Sequence, residues 1–294
     1  MTRLTVEDPQ RRARLAELTG PPPIAWKTVS LMVSCLIVLA ASVIAALAGA
    51  LPLIVACLIN SVVVYLLFSV IHDSIHRAIS TNIRFNDWCG RIASMAMSPG
   101  TTLGLFRWGH IQHHRHTSGP GDPDNWLHDD RAWILPMKWA FIDVYYLIFT
   151  IKSRDRVARR YLPAALMGLG VLATAVVTLL ALDYWLELLM LWFLPTRILG
   201  ITLGFTFFWL PHVPHEVSAA QDPYRATTIR RGLEWLMTPV LQHQNYHLIH
   251  HLYPRTPFYN NLRVWRLIEP ELRQHELAVQ HGFDIHPTIE AARP

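Results

Sequence analysis

Residues 28–71, "TVSLMVSCLIVLAASVIAALAGALPLIVACLINSVVVYLLFSVI", run for 44 positions without a Lys, Arg, Asp or Glu. A helix needs only about 20 apolar residues to cross a bilayer core, so the stretch holds two crossings, expected at about 28–48 and 51–71. The connector around Gly49–Pro52 is so short that the two must fold back as a helical hairpin. A second charge-poor region, Tyr161–Pro211, is broken only by Asp183, Glu187 and Arg197, and "LDYWLE" divides it into spans at about 161–182 and 188–211. Composition agrees. Only 16% of the 294 residues are charged, where soluble domains have about a quarter. The expected fold is an all-α integral membrane protein with four transmembrane helices in two hairpins.

Charge sets the orientation. Of the 26 Lys and Arg, 25 fall before residue 28, between 72 and 160, or after 211, and Arg197 alone lies inside a span. With four spans these three regions share one face, and the enrichment of basic residues in cytoplasmic loops makes that face cytoplasmic. The net charge of +5 therefore reads as membrane topology, and no nucleic-acid partner is expected. Three parts follow: a cytoplasmic N-terminal segment 1–27 without the apolar core of a signal peptide, a membrane domain 28–259, and a cytoplasmic tail 260–294. A bacterial inner membrane suits this layout. "AWILPMKWAFIDVYYLIFT", 132–150, is expected to lie in the membrane interface, because a crossing there would put the last histidine cluster on the opposite face. The tail reads as helical over "RVWRLIEPELRQHELAVQHG", broken at Pro270. Cys35, Cys57 and Cys89 are too scattered for a disulfide framework or a thiolate metal site.

The histidines follow the same geography. Thirteen of the sixteen lie between 72 and 251, all in the cytoplasmic segments or at span ends. His72 and His76 in "HDSIH" are one helical turn apart and share a face. "HIQHH" brings His110, His113 and His114 together in the same way, and "HLIHH" repeats the spacing with His247, His250 and His251. A buried imidazole without a partner costs about 1–3 kcal/mol, and metal ligation removes that cost for all eight. One ion closes with about four ligands, so eight rings point to two ions. Adjacent pairs such as His113 with His114 project about 100° apart on a helix, which suits one ring per ion. Spacing does not name the element, because imidazole suits iron, copper, zinc and nickel alike. A metal transporter would place its polar groups at mid-bilayer. Here they cap the span ends, which favours an enzyme.

"HDSIH", "HIQHH" and "NYHLIHH" followed by "LYPRTPFY" resemble the three histidine boxes of the integral-membrane fatty acid desaturase superfamily, over 72 to about 259. The superfamily includes acyl desaturases and hydroxylases, and the boxes also resemble those of carotenoid hydroxylases and ketolases. The resemblance implies a cytoplasmic helical cap that holds two non-haem iron ions, with O2 as co-substrate and a bilayer lipid as substrate. It favours an acyl desaturase or hydroxylase over a carotenoid β-ring hydroxylase or ketolase. It also implies a ninth ligand just past the last span, where "WLPHVPHE" supplies His212, the preferred residue, and His215. His116 and His243 are further candidates as ligands or as supports of ligands. No catalytic residue is expected beyond the ligands.

Asp73, Asp122, Asp124 and Glu216 lie close enough in sequence to hydrogen-bond ligand ring N–H groups and offset the cationic charge. The chain carries no heme motif or C-x-x-C iron–sulfur pattern, so electrons are expected from a separate ferredoxin or cytochrome-type protein with its reductase. "KSRDRVARR", Lys152–Arg160, is a candidate docking surface for it, although basic residues at a span end serve topology regardless of function.

Overall fold

The computed structural model describes residues 4–97 and 102–293. In chain order the helices are α1 (Pro9–Thr19), α2 (Trp26–Leu47), α3 (Leu53–Ile75), α4 (Ile83–Met97), α5 (Leu103–His116), α6 (Leu135–Ala140), α7 (Ile142–Lys152), α8 (Arg156–Ala181), α9 (Trp185–His212), α10 (Glu234–Val240), α11 (His247–Leu252) and α12 (Asn261–Leu272). Among the described residues, α2, α3, α8 and α9 are long and apolar enough to cross a membrane. They form two hairpins in an integral membrane protein of the all-α class. The α2–α3 turn is made by Gly49, whose φ of +73° suits a residue without a Cβ.

The four spans differ in what covers them. α3 packs against α2, α4 and α9, and 61% of its most apolar window is buried within the protein. α8 is nearly bare, with 6% of its window buried and Met167, Val171 and Val177 exposed. Leaving a Val- or Leu-sized side chain in water costs about 1.5–3 kcal/mol relative to burial, so this helix needs acyl chains around it. α8 also begins earlier than about 161, because Asp155 caps it by accepting the Val157 and Ala158 N–H groups and draws Arg156, Arg159 and Arg160 into its first turns.

Segment 132–150 forms two short helices, α6 and α7, broken at Phe141, and neither is long enough to cross. α6 lies against α9 over "GITLG", Gly200–Gly204. A Cβ on Gly204 would lie 2.1 Å from Trp139 Cγ, and one on Gly200 would lie 2.6 Å from the Trp139 carbonyl oxygen. Small residues four apart allow this close approach, as in packed transmembrane helices. Gly204→Leu is expected to destabilise the protein by roughly 1–3 kcal/mol through overpacking, read as a lower thermal midpoint in detergent. Gly170→Leu, whose Cβ would meet nothing within 4 Å, is expected not to lower it. α9 is not a uniform α-helix: π-helical turns occupy Leu189–Phe193 and Gly204–Trp209, and a 3-10 turn at Leu210–His212 ends it.

The tail corrects the sequence reading. α12 continues through Pro270 to Leu272, since a proline in the last turn removes only one late hydrogen bond. Residues 277–281 are then a strand. β1 (Thr228–Arg231) pairs in parallel with β2 (Leu277–His281), which pairs antiparallel with β3 (Thr288–Glu290). Gln280 donates to the Leu210 carbonyl, so this small sheet braces the end of α9. α1 closes the same side through the Arg11–Glu271 ion pair at 2.6 Å.

Candidate metal centre

Four helix ends deliver imidazoles to one place. α3 supplies His72 within its last turn and His76 at its C-cap, α5 supplies His110, His113 and His114, α11 supplies His247, His250 and His251, and the final turn of α9 supplies His212. All nine are buried. Their ligating atoms fall into groups: His72, His76, His110 and His250 lie within 4.8 Å of one another, as do His113, His212, His247 and His251. His114 bridges them. Its Nε2 is 3.1 Å from His110 Nε2 and 2.9 Å from His250 Nε2, while its ring stacks on His251. The adjacent pairs separate as the helical rotation requires, with His113 and His251 in one group and His250 in the other.

The atoms present fit metal ions. Nε2 atoms face Nε2 atoms at 3.0 Å in His247–His212 and 3.1 Å in His251–His247, about the spacing of nitrogens that sit ~2.1 Å from one ion at right angles. His72 Nε2 and His76 Nε2 are buried with no hydrogen-bond partner. Each would cost about 1–3 kcal/mol if nothing bound there. Burial, followed by the neighbouring rings, pushes His76, His110 and His114 well below the ordinary histidine pKa. His247, His250 and His251 shift the same way. These six are therefore neutral, the form that ligates.

His113 is the exception. Burial would lower its pKa, but Asp122 and Asp124 outweigh it and hold the ring at about 9. His113 Nδ1–H donates to Asp122 Oδ1 at 3.0 Å, with Asp124 Oδ2 at 3.1 Å. At that pKa the metal-free ring carries both protons near pH 7; a bound ion would displace the Nε2 proton, while Asp122 keeps the Nδ1–H and orients the ring. Asp122 is itself held by the Ser118 and Asp124 N–H groups, and Asp124 accepts the Tyr146 hydroxyl at 2.5 Å.

Other sequence candidates stand elsewhere. Asp73 does not reach a histidine: pointing about 100° away from His72 on the helix, it accepts the Thr28 hydroxyl at 2.9 Å and the Phe258 N–H at 3.1 Å, tying α2 and α3 to the segment after the third box. Glu216 is exposed. His215 lies outside both groups, stacked on His128 at 4.0 Å, and its chain turns away at φ +69°. His116 is exposed, and the His243 ring packs on Phe258. Three supports escaped the sequence reading. Gln244 Oε1 accepts from His247 Nδ1, Thr117 Oγ1 stands 3.4 Å from His251 Nδ1, and Tyr146 holds Asp124. Gln244 and Thr117 sit three residues before and one turn after box histidines, a spacing that could have flagged them. Tyr146 carried no such signal.

An apolar cavity of about 70 Å³ backs onto the first group, lined by Phe68, Phe106, Tyr146, Leu203 and Phe208, with the Arg197–Asp143 ion pair on its wall. The Phe68 and Phe106 rings touch the His72 and His110 rings, at 5.9 and 6.0 Å between centroids. The arrangement suits a greasy chain laid beside a metal centre.

Nine buried histidines converging at the ends of four membrane spans, with an apolar cavity beside them, fit a metal site in an integral membrane protein. The sequence model of the family described as "Fatty acid desaturase" matches residues 48–283, and this chain belongs to that family. No curated protein matches the chain.

Proposed function

We propose that the chain is a non-haem di-iron enzyme that uses O2 to oxidise an unactivated C–H bond of a bilayer lipid, as an acyl desaturase or hydroxylase. The observation that carries this reading is the division of nine buried histidines into two convergent groups. His72, His76, His110, His114 and His250 would hold one iron, and His113, His212, His247 and His251 the other. Bound there, iron supplies the redox chemistry that activates O2. The protein supplies the rest. Phe68 and Phe106 wall the acyl chain against the first group and keep water out, and position is what selects one carbon among many alike. Asp122 and Asp124 keep a proton on His113 Nδ1. Each turnover consumes one O2, two electrons and two protons: desaturation yields two waters, and hydroxylation yields one water and a lipid alcohol. The grouping of Lys and Arg supports a cytoplasmic placement of both ends and of the centre.

Lipid extracts from an iron-replete host with and without the chain, compared by mass spectrometry, test the reaction. Loss of two hydrogens marks desaturation and gain of one oxygen marks hydroxylation, and a host that also makes carotenoids reads out ring hydroxylation or ketolation in the same run. An unchanged lipid profile, with the protein inserted and a reductant supplied, refutes the proposal. Purified protein is expected to carry close to two irons per chain by metal analysis. One iron, or none with turnover intact, rules out the paired centre.

A further inference from the structure

The rim of the metal centre carries a feature that the lipid chemistry does not use. A recess of about 530 Å³ is lined by His76, Arg77, Ser80, Arg107, Ile111 and Arg255. It reaches from the surface to a histidine of the first group. Arg107 is committed inside the protein, where it pairs with Asp87 at 2.6 Å and donates to the Ser74 and Ile75 carbonyls. Arg77 and Arg255 are exposed and in no salt bridge among the described residues. Arg84, the residue after Ile83 on α4, is exposed and in no salt bridge among the described residues. Two exposed guanidinium groups, those of Arg77 and Arg255, thus line a path to the centre, and the Asp87 carboxylate is engaged by Arg107.

We infer that this recess docks an acidic one-electron carrier protein and delivers its electrons to the centre past His76. The inference rests on the functional reading above and names the partner that reading requires. Charge complementarity argues for the occupant, since guanidinium groups grip carboxylates in paired hydrogen bonds and a basic patch steers an acidic protein to its site. Position argues for the route. Arg77 directly follows His76, and Arg77 and Arg255 line the recess that His76 also lines, so a carrier held by both stands beside the first group, and electron transfer slows steeply with distance. Two reduced carriers each give up one electron per turnover and leave oxidised, while O2 and two protons complete the balance. The Lys152–Arg160 run, which the sequence offers both as a topological signal and as a candidate docking surface, contains no histidine of the centre and leads into the start of α8.

The test uses iron-loaded protein in neutral phosphatidylcholine discs, with a reduced, strongly acidic [2Fe–2S] ferredoxin as the probe and dithionite as a small reductant. Arg77→Gln with Arg255→Gln is expected to lower kcat/KM for ferredoxin about tenfold or more and to flatten its dependence on salt. The Glu pair is expected to lower it further. Iron content and dithionite-driven turnover stay at wild-type values. The inference is overturned if the rate and salt dependence are unchanged, or if the loss instead follows Arg156→Glu with Arg159→Glu. It is also overturned if dithionite-driven turnover falls equally and recovers with anionic lipid, which would make the rim a headgroup site. Wild-type protein that turns over with dithionite but accepts nothing from ferredoxin overturns the docking alone. Protein that turns over with neither overturns the functional reading itself.

Discussion

Alanine at any one of His72, His76, His110, His113, His114, His247, His250 or His251 is expected to abolish lipid turnover and to lower iron content. The expectation follows from how the rings meet. Each belongs to a buried group whose candidate ligand atoms lie within 4.8 Å of one another, and truncation removes one of the nitrogens on which its group depends. His114 is the informative case, because its Nε2 faces both His110 and His250 while its ring stacks on His251. His114→Ala should therefore disturb the first group directly and the second through packing. His281→Ala and His286→Ala, both at exposed positions, are expected to do little. Metal analysis and product formation on the same preparations read the result, and wild-type turnover in any two of the eight would refute the assignment.

The second large effect is expected at the carboxylates. Asp122→Ala combined with Asp124→Ala should lower iron affinity or activity by about 10–100-fold, the range for removing the hydrogen-bond partner of a ligating histidine. Without them His113 Nδ1 loses its acceptor, Asp122, and the adjacent charge of Asp124, the ring can turn or change tautomer, and Nε2 no longer points reliably at its group. Tyr146→Phe, which removes one donor to Asp124 but keeps the ring packed on Phe106, should show a smaller loss in the same direction. Iron titration of the apo-protein separates the cases. An unchanged affinity in the double variant would mean that packing alone orients His113.

Much of this architecture was legible because it follows from local rules. The charge-free run 28–71 required a hairpin of spans, and H-x-x-H-H spacing required that rings converge on a helix face. What escaped depends on contacts between distant segments. Strand β2 reads as helix in "RQHELAVQHG" because only pairing with β1, some fifty residues earlier, decides its conformation. The Gly200–Gly204 seam looked like any apolar span, since its meaning lies in Trp139 on another helix. Asp73 sits beside His72 in the chain, yet helical rotation turns it toward Thr28 and Phe258. Between His212 and His215 the chain alone left a choice. The 3-10 turn that ends α9 places His212 Nε2 3.0 Å from His247 Nε2 and leaves His215 against His128.

The brace between Gln280 and the end of α9 also has a meaning in time. Chains emerge from the ribosome N-terminal end first, so the elements bearing His72, His76, His110, His113 and His114 are made long before residues 277–281. The Leu210 carbonyl, two residues from His212, waits for Gln280 to be synthesised before it gains that partner. The parts of the centre are therefore made at different moments: the helices of the first two boxes can insert and pack early, whereas the end of α9 gains its Gln280 hydrogen bond only when the late strand arrives. Nascent chains arrested near residue 270 are expected to be integrated in the membrane yet unable to hold a full complement of metal.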